Sequence, residues 1–348
     1  MGSATSEPRL SDIAKHLILP EGITSTGWPA VRDRAKRFGL SFDRWQDGLG
    51  RAILAKRKDG LYAAGIDGVQ ICFPRQVGKT YTIGSMIFAL CTLHDGFFVL
   101  WTAHRTRTAD ETFRAMLGLS QRPEIAPYID GRPRQANGQQ EVRFMNGSRI
   151  LFGAREGGFG RGFAGVDSII FDEAQILGQR ALEDMVPAVN TSPNPLIIRL
   201  GTPPRPIDPS EAFTSFRKQA LKGELVNGLY IEMGADEDAD PEDRRQWRKA
   251  NPSFPHRTPE SAMLRMKSQM GPESFRREGL GIWDPEVASQ AIGREAWNAL
   301  TVDDAPSGLR WCAAVRFSVD GSTVALARAG RKPERKSEAV YGQLCTSQ

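Results

Sequence analysis

Residues 71–81 read ICFPRQVGKTY, a short apolar run that opens into a loop closing on Gly78-Lys79-Thr80. This is the back half of a phosphate-binding loop set between a strand and a helix. Gly78 lets backbone N–H groups approach a phosphate, Lys79 reaches the β- and γ-phosphates, and the Thr80 hydroxyl can bind Mg²⁺. The first glycine of the G-x-x-x-x-G-K-[ST] pattern is missing, and Phe73 stands in its place. The triplet alone decides little. Its weight comes from a second motif about ninety residues on.

That motif is SIIFDE, residues 168–173, an apolar run ending in two adjacent carboxylates. A strand buried on both faces of a parallel sheet reads as continuous apolar sequence. Ligands of open α/β sheets sit beyond the carboxyl ends of the strands. Asp172 at that end suits Mg²⁺, and Glu173 suits orienting and deprotonating a water. An acid pair of this kind points to hydrolysis rather than transfer to a substrate hydroxyl. The plain alternative is a strand that ends in a solvated acidic turn.

Outward from these motifs, strands are predicted over 69–73, 97–102, 167–171 and 196–200, and helices over 31–38, 43–58, 80–93 and 108–119. Residues 141–143 and 150–152 flank Asn146-Gly147, a hairpin turn signal. Strands alternating with helices predict an α/β fold with a mostly parallel central sheet. From residue 235 the composition becomes polar, Pro-containing and charged in blocks, which predicts a helical connector with a basic helical stretch over 259–280. Residues 311–327 predict a separate hairpin around Asp320-Gly321.

The 348-residue chain exceeds one ordinary domain, and its net charge of +5 fits contact with a polyanion without establishing it. The four cysteines (Cys72, Cys91, Cys312, Cys345) form no C-x-x-C pair, which speaks against a zinc or disulfide framework and for a reducing compartment. His16, His94, His104 and His256 are dispersed. Neither a secretory signal nor a membrane-spanning run is visible, so a soluble intracellular protein is expected.

Several marks stand in a fixed order: Trp45-Gln46, then Arg75-Gln76-Val77-Gly78-Lys79-Thr80, Arg161-Gly162, Asp172-Glu173-Ala174-Gln175, and Gly201-Thr202-Pro203. Together they resemble the large terminase subunit of tailed bacteriophages and prophages, a P-loop NTPase that packages DNA. The resemblance covers residues 40–300 well and 308–330 faintly. It implies an N-terminal segment (1–40), an ATPase core (41–234), a connector or lid (235–305) and an incomplete ribonuclease-H-like nuclease fragment (306–348). It also implies ATP and Mg²⁺ as cofactors. The implied partners are double-stranded DNA, a small terminase subunit and a portal protein. A homo-oligomeric ring and the cytoplasm of a bacterial host complete the picture.

Residue by residue, the resemblance assigns Gln46 to the adenine edge and Arg75 to an in-chain arginine finger, with loop residues Gln76, Val77, Gly78, Lys79 and Thr80 around the phosphates. Asp172 and Thr80 take the metal, Glu173 is the general base, and Thr202 senses the γ-phosphate for coupling. Arg161 faces either the nucleotide or a neighbouring subunit. Each has a plainer alternative: a helix-surface Gln46, an Arg75 that only neutralises phosphate, a turn Thr202. Asp320 is either a first nuclease metal ligand or the Asp-Gly of a turn. Nuclease chemistry needs carboxylates from later strands to hold two metals. The chain stops at Gln348 without them, so no nuclease activity is expected. The alternatives to a packaging motor are a non-catalytic remnant that binds nucleotide, and a helicase or other P-loop ATPase. Lys56, Arg57, Lys58, Arg244, Arg245, Arg248 and Lys249 are basic candidates for DNA contact, or a solvated face.

Overall fold

The structure is a computed structural model that describes residues 7–136, 140–155, 158–284, 307–317, 324–331 and 341–347. Contacts divide the chain into one unit of Met1–Pro285 and another of Glu286–Gln348.

In the first unit the strands are β1 (Ala14–Ile18), β2 (Ser25–Thr26), β3 (Ala55–Lys56), β4 (Gly68–Cys72), β5 (Phe98–Ala103), β6 (Gln140–Arg143), β7 (Arg149–Ala154), β8 (Ser168–Phe171), β9 (Leu196–Gly201) and β10 (Gly228–Met233). The helices are α1 (Leu10–Ile13), α2 (Trp28–Arg37), α3 (Arg44–Ile53), α4 (Lys79–Leu93), α5 (Thr106–Ser120), α6 (Gln179–Met185), α7 (Glu211–Lys222), α8 (Arg244–Ala250), α9 (Glu260–Gln269) and α10 (Pro272–Glu278). Eight strands form one sheet in the order β1-β10-β4-β9-β8-β5-β7-β6. The six inner strands are parallel, and β1 and β6 close the two edges antiparallel.

The apolar runs are continuous because the sheet is covered on both faces. Successive side chains of a strand point to opposite faces. Val99 and Trp101 of β5 join one apolar cluster, while Phe98 and Leu100 join the other. Likewise Ile170 of β8 belongs to the first, and Ile169 and Phe171 to the second. The first cluster takes in α2, α3, α4 and α5, and the second takes in α7 through Phe213 and Phe216. A third cluster around Trp247, Phe254, Met263 and Phe275 gathers α8, α9 and α10. The basic helical stretch expected over 259–280 is two helices, α9 and α10, separated by Met270-Gly271.

The helix expected over 43–58 ends at Ile53. Leu54 and Ala55 leave it because their backbone carbonyls accept from Gly27 (2.9 Å) and Ala63 (2.8 Å), which starts the small β2–β3 pair. Close packing holds this region. A Cβ on Gly50 of α3 would lie 2.3 Å from the Trp28 ring. That ring is pinned by its Nε1 donating to Asp47 at 2.7 Å, so it cannot withdraw. Gly50→Ala is therefore expected to lower stability by about 1–2 kcal/mol despite alanine's better helix propensity. Urea unfolding with an unchanged midpoint would contradict this packing.

In the second unit β11 (Arg310–Phe317) and β12 (Val324–Arg331) pair antiparallel, as the expected hairpin requires. A third strand, β13 (Tyr341–Ser347), adds to β12. Asp320, expected as a nuclease ligand or a turn residue, lies outside the described residues. Among the described residues no helix is long and apolar enough to cross a membrane.

Candidate active site

Three parallel strands deliver the motifs to one end of the sheet. β4 runs into the loop of residues 73–78, β8 into Asp172-Glu173, and β9, which lies between them, ends at Gly201 just before Thr202. The amide of Phe73 still donates to Gly201 at 3.0 Å, so the loop leaves the sheet only after Phe73. Phe73 is fully buried, and its ring meets Trp45 edge-on at 6.0 Å. This explains the missing first glycine: the position is a core site, and the turn comes later. Gln76 and Gly78 make that turn with left-handed φ values of 60° and 98°. Gly78 then caps α4, whose first turn opens toward the loop and so offers free N–H groups to an anion.

Lys79 is half-buried and folded back on the loop. Its Nζ donates to the carbonyls of Phe73 (2.8 Å) and Pro74 (2.7 Å). Burial pushes its pKa down to about 8. A polyphosphate in reach would favour the charged form and draw the ammonium off these carbonyls.

The acid pair is set by its own backbone. Asp172 Oδ1 accepts from the Glu173 amide at 3.0 Å, and the Thr112 hydroxyl lies 3.5 Å from Oδ2. Burial pushes the Asp172 pKa up. Glu173 has a left-handed φ of 51°, a costly conformation for a non-glycine residue that clusters at functional sites. Beneath the pair, Arg155 donates to the carbonyls of Asp172 (2.8 Å), Glu173 (3.2 Å) and Thr102 (3.1 Å). Burial lowers the Arg155 pKa to about 10. Sequence reading missed Arg155, because nothing in its spacing says that it folds under a strand end seventeen residues away.

Gln175 links this pair to the neighbouring strand, since its Oε1 accepts from the Thr202 amide at 3.4 Å. The Thr202 hydroxyl is buried and has no partner among the described residues. An unpaired buried hydroxyl costs free energy unless something supplies a partner.

Arg75, Gln76, Gly78, Lys79, Thr80, Asp172, Glu173 and Thr202 line one cavity of about 470 Å³. Arg75 sits at its rim, where its guanidinium pairs with Glu278 of α10 and its amide donates to the Glu278 carbonyl at 2.8 Å. Glu278 is the second residue that sequence reading missed. Gln46 and Val77 line a second cavity of about 440 Å³, and Gln76, Gly78 and Tyr81 border both. The Gln46 amide is partly committed: it donates to Thr82 at 2.7 Å and accepts from the Asp43 amide at 2.8 Å. Arg161 borders neither cavity and pairs with Asp184 at 3.0 Å.

The donors suit Mg²⁺. Thr80 and Asp172 line the same cavity and offer oxygen donors only. No group of three or more His, Cys, Asp or Glu that could hold a metal occurs among the described residues.

Several basic candidates for DNA contact are locally neutralised. Arg57 pairs with Asp59, Arg244 with Glu242 and Glu260, Arg245 with Asp243, and Lys249 with Asp236.

No family model and no curated protein matches the chain. Solved structures do. The HK97 bacteriophage large terminase aligns at 19% identity with a TM-score of 0.64, over 92% of this chain and 68% of that one. The large terminase ATPase domain of Thermus phage P74-26 aligns at 13% identity with a TM-score of 0.50, over 71% of this chain and 96% of that one. A mutant of the same domain aligns at 14% identity with a TM-score of 0.51, over 72% and 97%. At these identities the likeness is one of fold: this chain has the ATPase fold of the phage large terminases.

Proposed function

We propose that the chain is an ATP-hydrolysing motor subunit of the large-terminase type, driving double-stranded DNA into a procapsid. One observation carries the reading: Arg75, Lys79, Thr80, Asp172, Glu173 and Thr202 follow three different strands, β4, β8 and β9, yet line a single cavity. An idle scaffold has no need of that convergence.

In this reading the triphosphate takes the 470 Å³ cavity and the base takes the adjoining one near Gln46. Lys79 exchanges the Phe73 and Pro74 carbonyls for phosphate oxygens. Thr80 and Asp172 would hold Mg²⁺, which when bound neutralises charge on the β- and γ-oxygens. Glu173 holds the attacking water and takes its proton, and Arg155 keeps the strained Glu173 backbone in place. Arg75 leaves Glu278 for the γ-phosphate and returns when phosphate is lost. Because Glu278 ends α10, that exchange would carry the state of the site to the region of α8, α9 and α10. Thr202 and Gln175 would report the same event to β9.

Duplex DNA is the proposed track, gripped through its backbone, since a packaging motor must move any sequence. A small terminase subunit, a portal protein and a ring of copies are the proposed partners. The test is ATP hydrolysis with linear duplexes of unrelated sequence. Each should raise turnover to a similar degree, and the rise should fade as salt increases. Turnover that ignores duplex DNA would favour an unrelated P-loop ATPase.

A further inference from the structure

The second cavity has a wall that the motifs do not account for, contributed by the segment between α8 and α9. Asn251, Ser253 and Thr258 are buried polar residues, and together with Arg257 they form a bonded set. Asn251 accepts from the Ser253 amide at 2.9 Å and donates to the Thr258 hydroxyl at 3.2 Å. From this folded loop three contacts reach across to the nucleotide-side elements. The Ser253 hydroxyl lies 3.4 Å from the Val77 carbonyl, and the Thr258 hydroxyl lies 3.5 Å from the Gln76 carbonyl. The Arg257 guanidinium makes a two-pronged pair with Asp43, one prong at 3.0 Å. Asp43 caps α3, the helix that carries Gln46, and its amide donates to the Gln46 side chain.

We infer that residues 251–258 form a clamp on the base side of the site, with Arg257 as a positioning residue for the nucleobase. The inference rests on the nucleotide reading above. Arg257, Asp43, Gln46 and Tyr81 border the same cavity, so the ion pair closes one side of the space left for a base. The pair also fixes the start of α3 and with it the Gln46 amide. Ser253 and Thr258 meanwhile brace the crest of the phosphate loop, where Gln76 holds its left-handed backbone. A purine nucleoside triphosphate would then bind against core and connector at once. Arg257 is more than half exposed on its side chain, so its removal should not threaten the fold.

The experiment measures affinity of the full chain for ATP and for inorganic tripolyphosphate, with kcat and KM for ATP, in the wild type, Arg257→Ala and Arg257→Lys. Arg257→Ala should weaken ATP binding and raise KM by about tenfold, the loss of one charge-assisted contact. Its kcat should stay within about twofold, and its tripolyphosphate affinity should be unchanged. Arg257→Lys should recover part of the loss, since it keeps the charge but not the fork. Equal loss of ATP and tripolyphosphate affinity would overturn the inference, because the residue would then act through the phosphate loop. Unchanged ATP affinity in Arg257→Ala would also overturn it while leaving the nucleotide reading intact. Failure of the wild type to bind either ligand would remove both.

Discussion

Glu173→Gln is expected to lower ATP hydrolysis by about 100- to 10,000-fold, the range lost when a positioned general base is removed. Nucleotide affinity should hardly change. The side chain keeps its size, and Lys79, Thr80 and the loop amides, proposed to hold the phosphates and Mg²⁺, are untouched. The special backbone of Glu173 strengthens this expectation. A left-handed φ of 51° at a non-glycine residue is kept only where surrounding contacts enforce it, and Arg155 supplies one at 3.2 Å from the Glu173 carbonyl. Pre-steady-state phosphate release alongside equilibrium binding of ATP separates the two quantities. If the variant hydrolyses at the wild-type rate, the general base is another group.

Arg75→Ala should cost about a thousandfold in kcat, the lower end of what an arginine on transition-state phosphate charge supplies. Arg75 pairs with Glu278 at the rim of the cavity, so this variant also removes the side-chain link to α10. Glu278→Gln separates the two roles. It loosens the link but leaves the guanidinium free for phosphate, so it should retain most of the hydrolysis while weakening the rise on DNA addition. If Arg75→Ala hydrolyses within about threefold of wild type, Arg75 merely neutralises bound phosphate and no finger role remains for it.

The core strands that are legible in the sequence are buried and end abruptly. β4, β8 and β9 read as strands because both sheet faces are covered, which removes polar positions from the run. The Asn146-Gly147 hairpin reads from its turn, and Asn146 secures it by donating to the carbonyls of Cys91 and His94. By contrast β1 carries Lys15 and His16 and is only half-buried, so no alternation marks it as a sheet edge. β10 lies just before the compositional change at residue 235, and only its parallel pairing with β4 assigns it to the sheet. The helix expected through residue 58 stopped early for a similar reason, since the Leu54 and Ala55 backbone pairs with distant segments.

The site divides the same way. Gly78, Lys79, Thr80, Asp172 and Glu173 announce themselves because each motif is contiguous. Arg155, Glu278 and Arg257 act on those motifs from other parts of the chain. Each looks like an ordinary surface charge until the fold brings it under a strand end, onto Arg75 or onto Asp43. Phe73 is the instructive middle case. Its departure from the loop pattern reads as an anomaly in sequence and as a core residue in structure.

The most direct test of a nucleotide site here is a crystal structure of the chain with Mg²⁺ and a non-hydrolysable ATP analogue. Phosphates should occupy the cavity of Lys79, Thr80, Asp172 and Glu173, and the base should lie beside Gln46 and Arg257. Lys79 Nζ should be on phosphate oxygens instead of the Phe73 and Pro74 carbonyls. A nucleotide bound elsewhere, or one bound there with Lys79 still on those carbonyls, would contradict it.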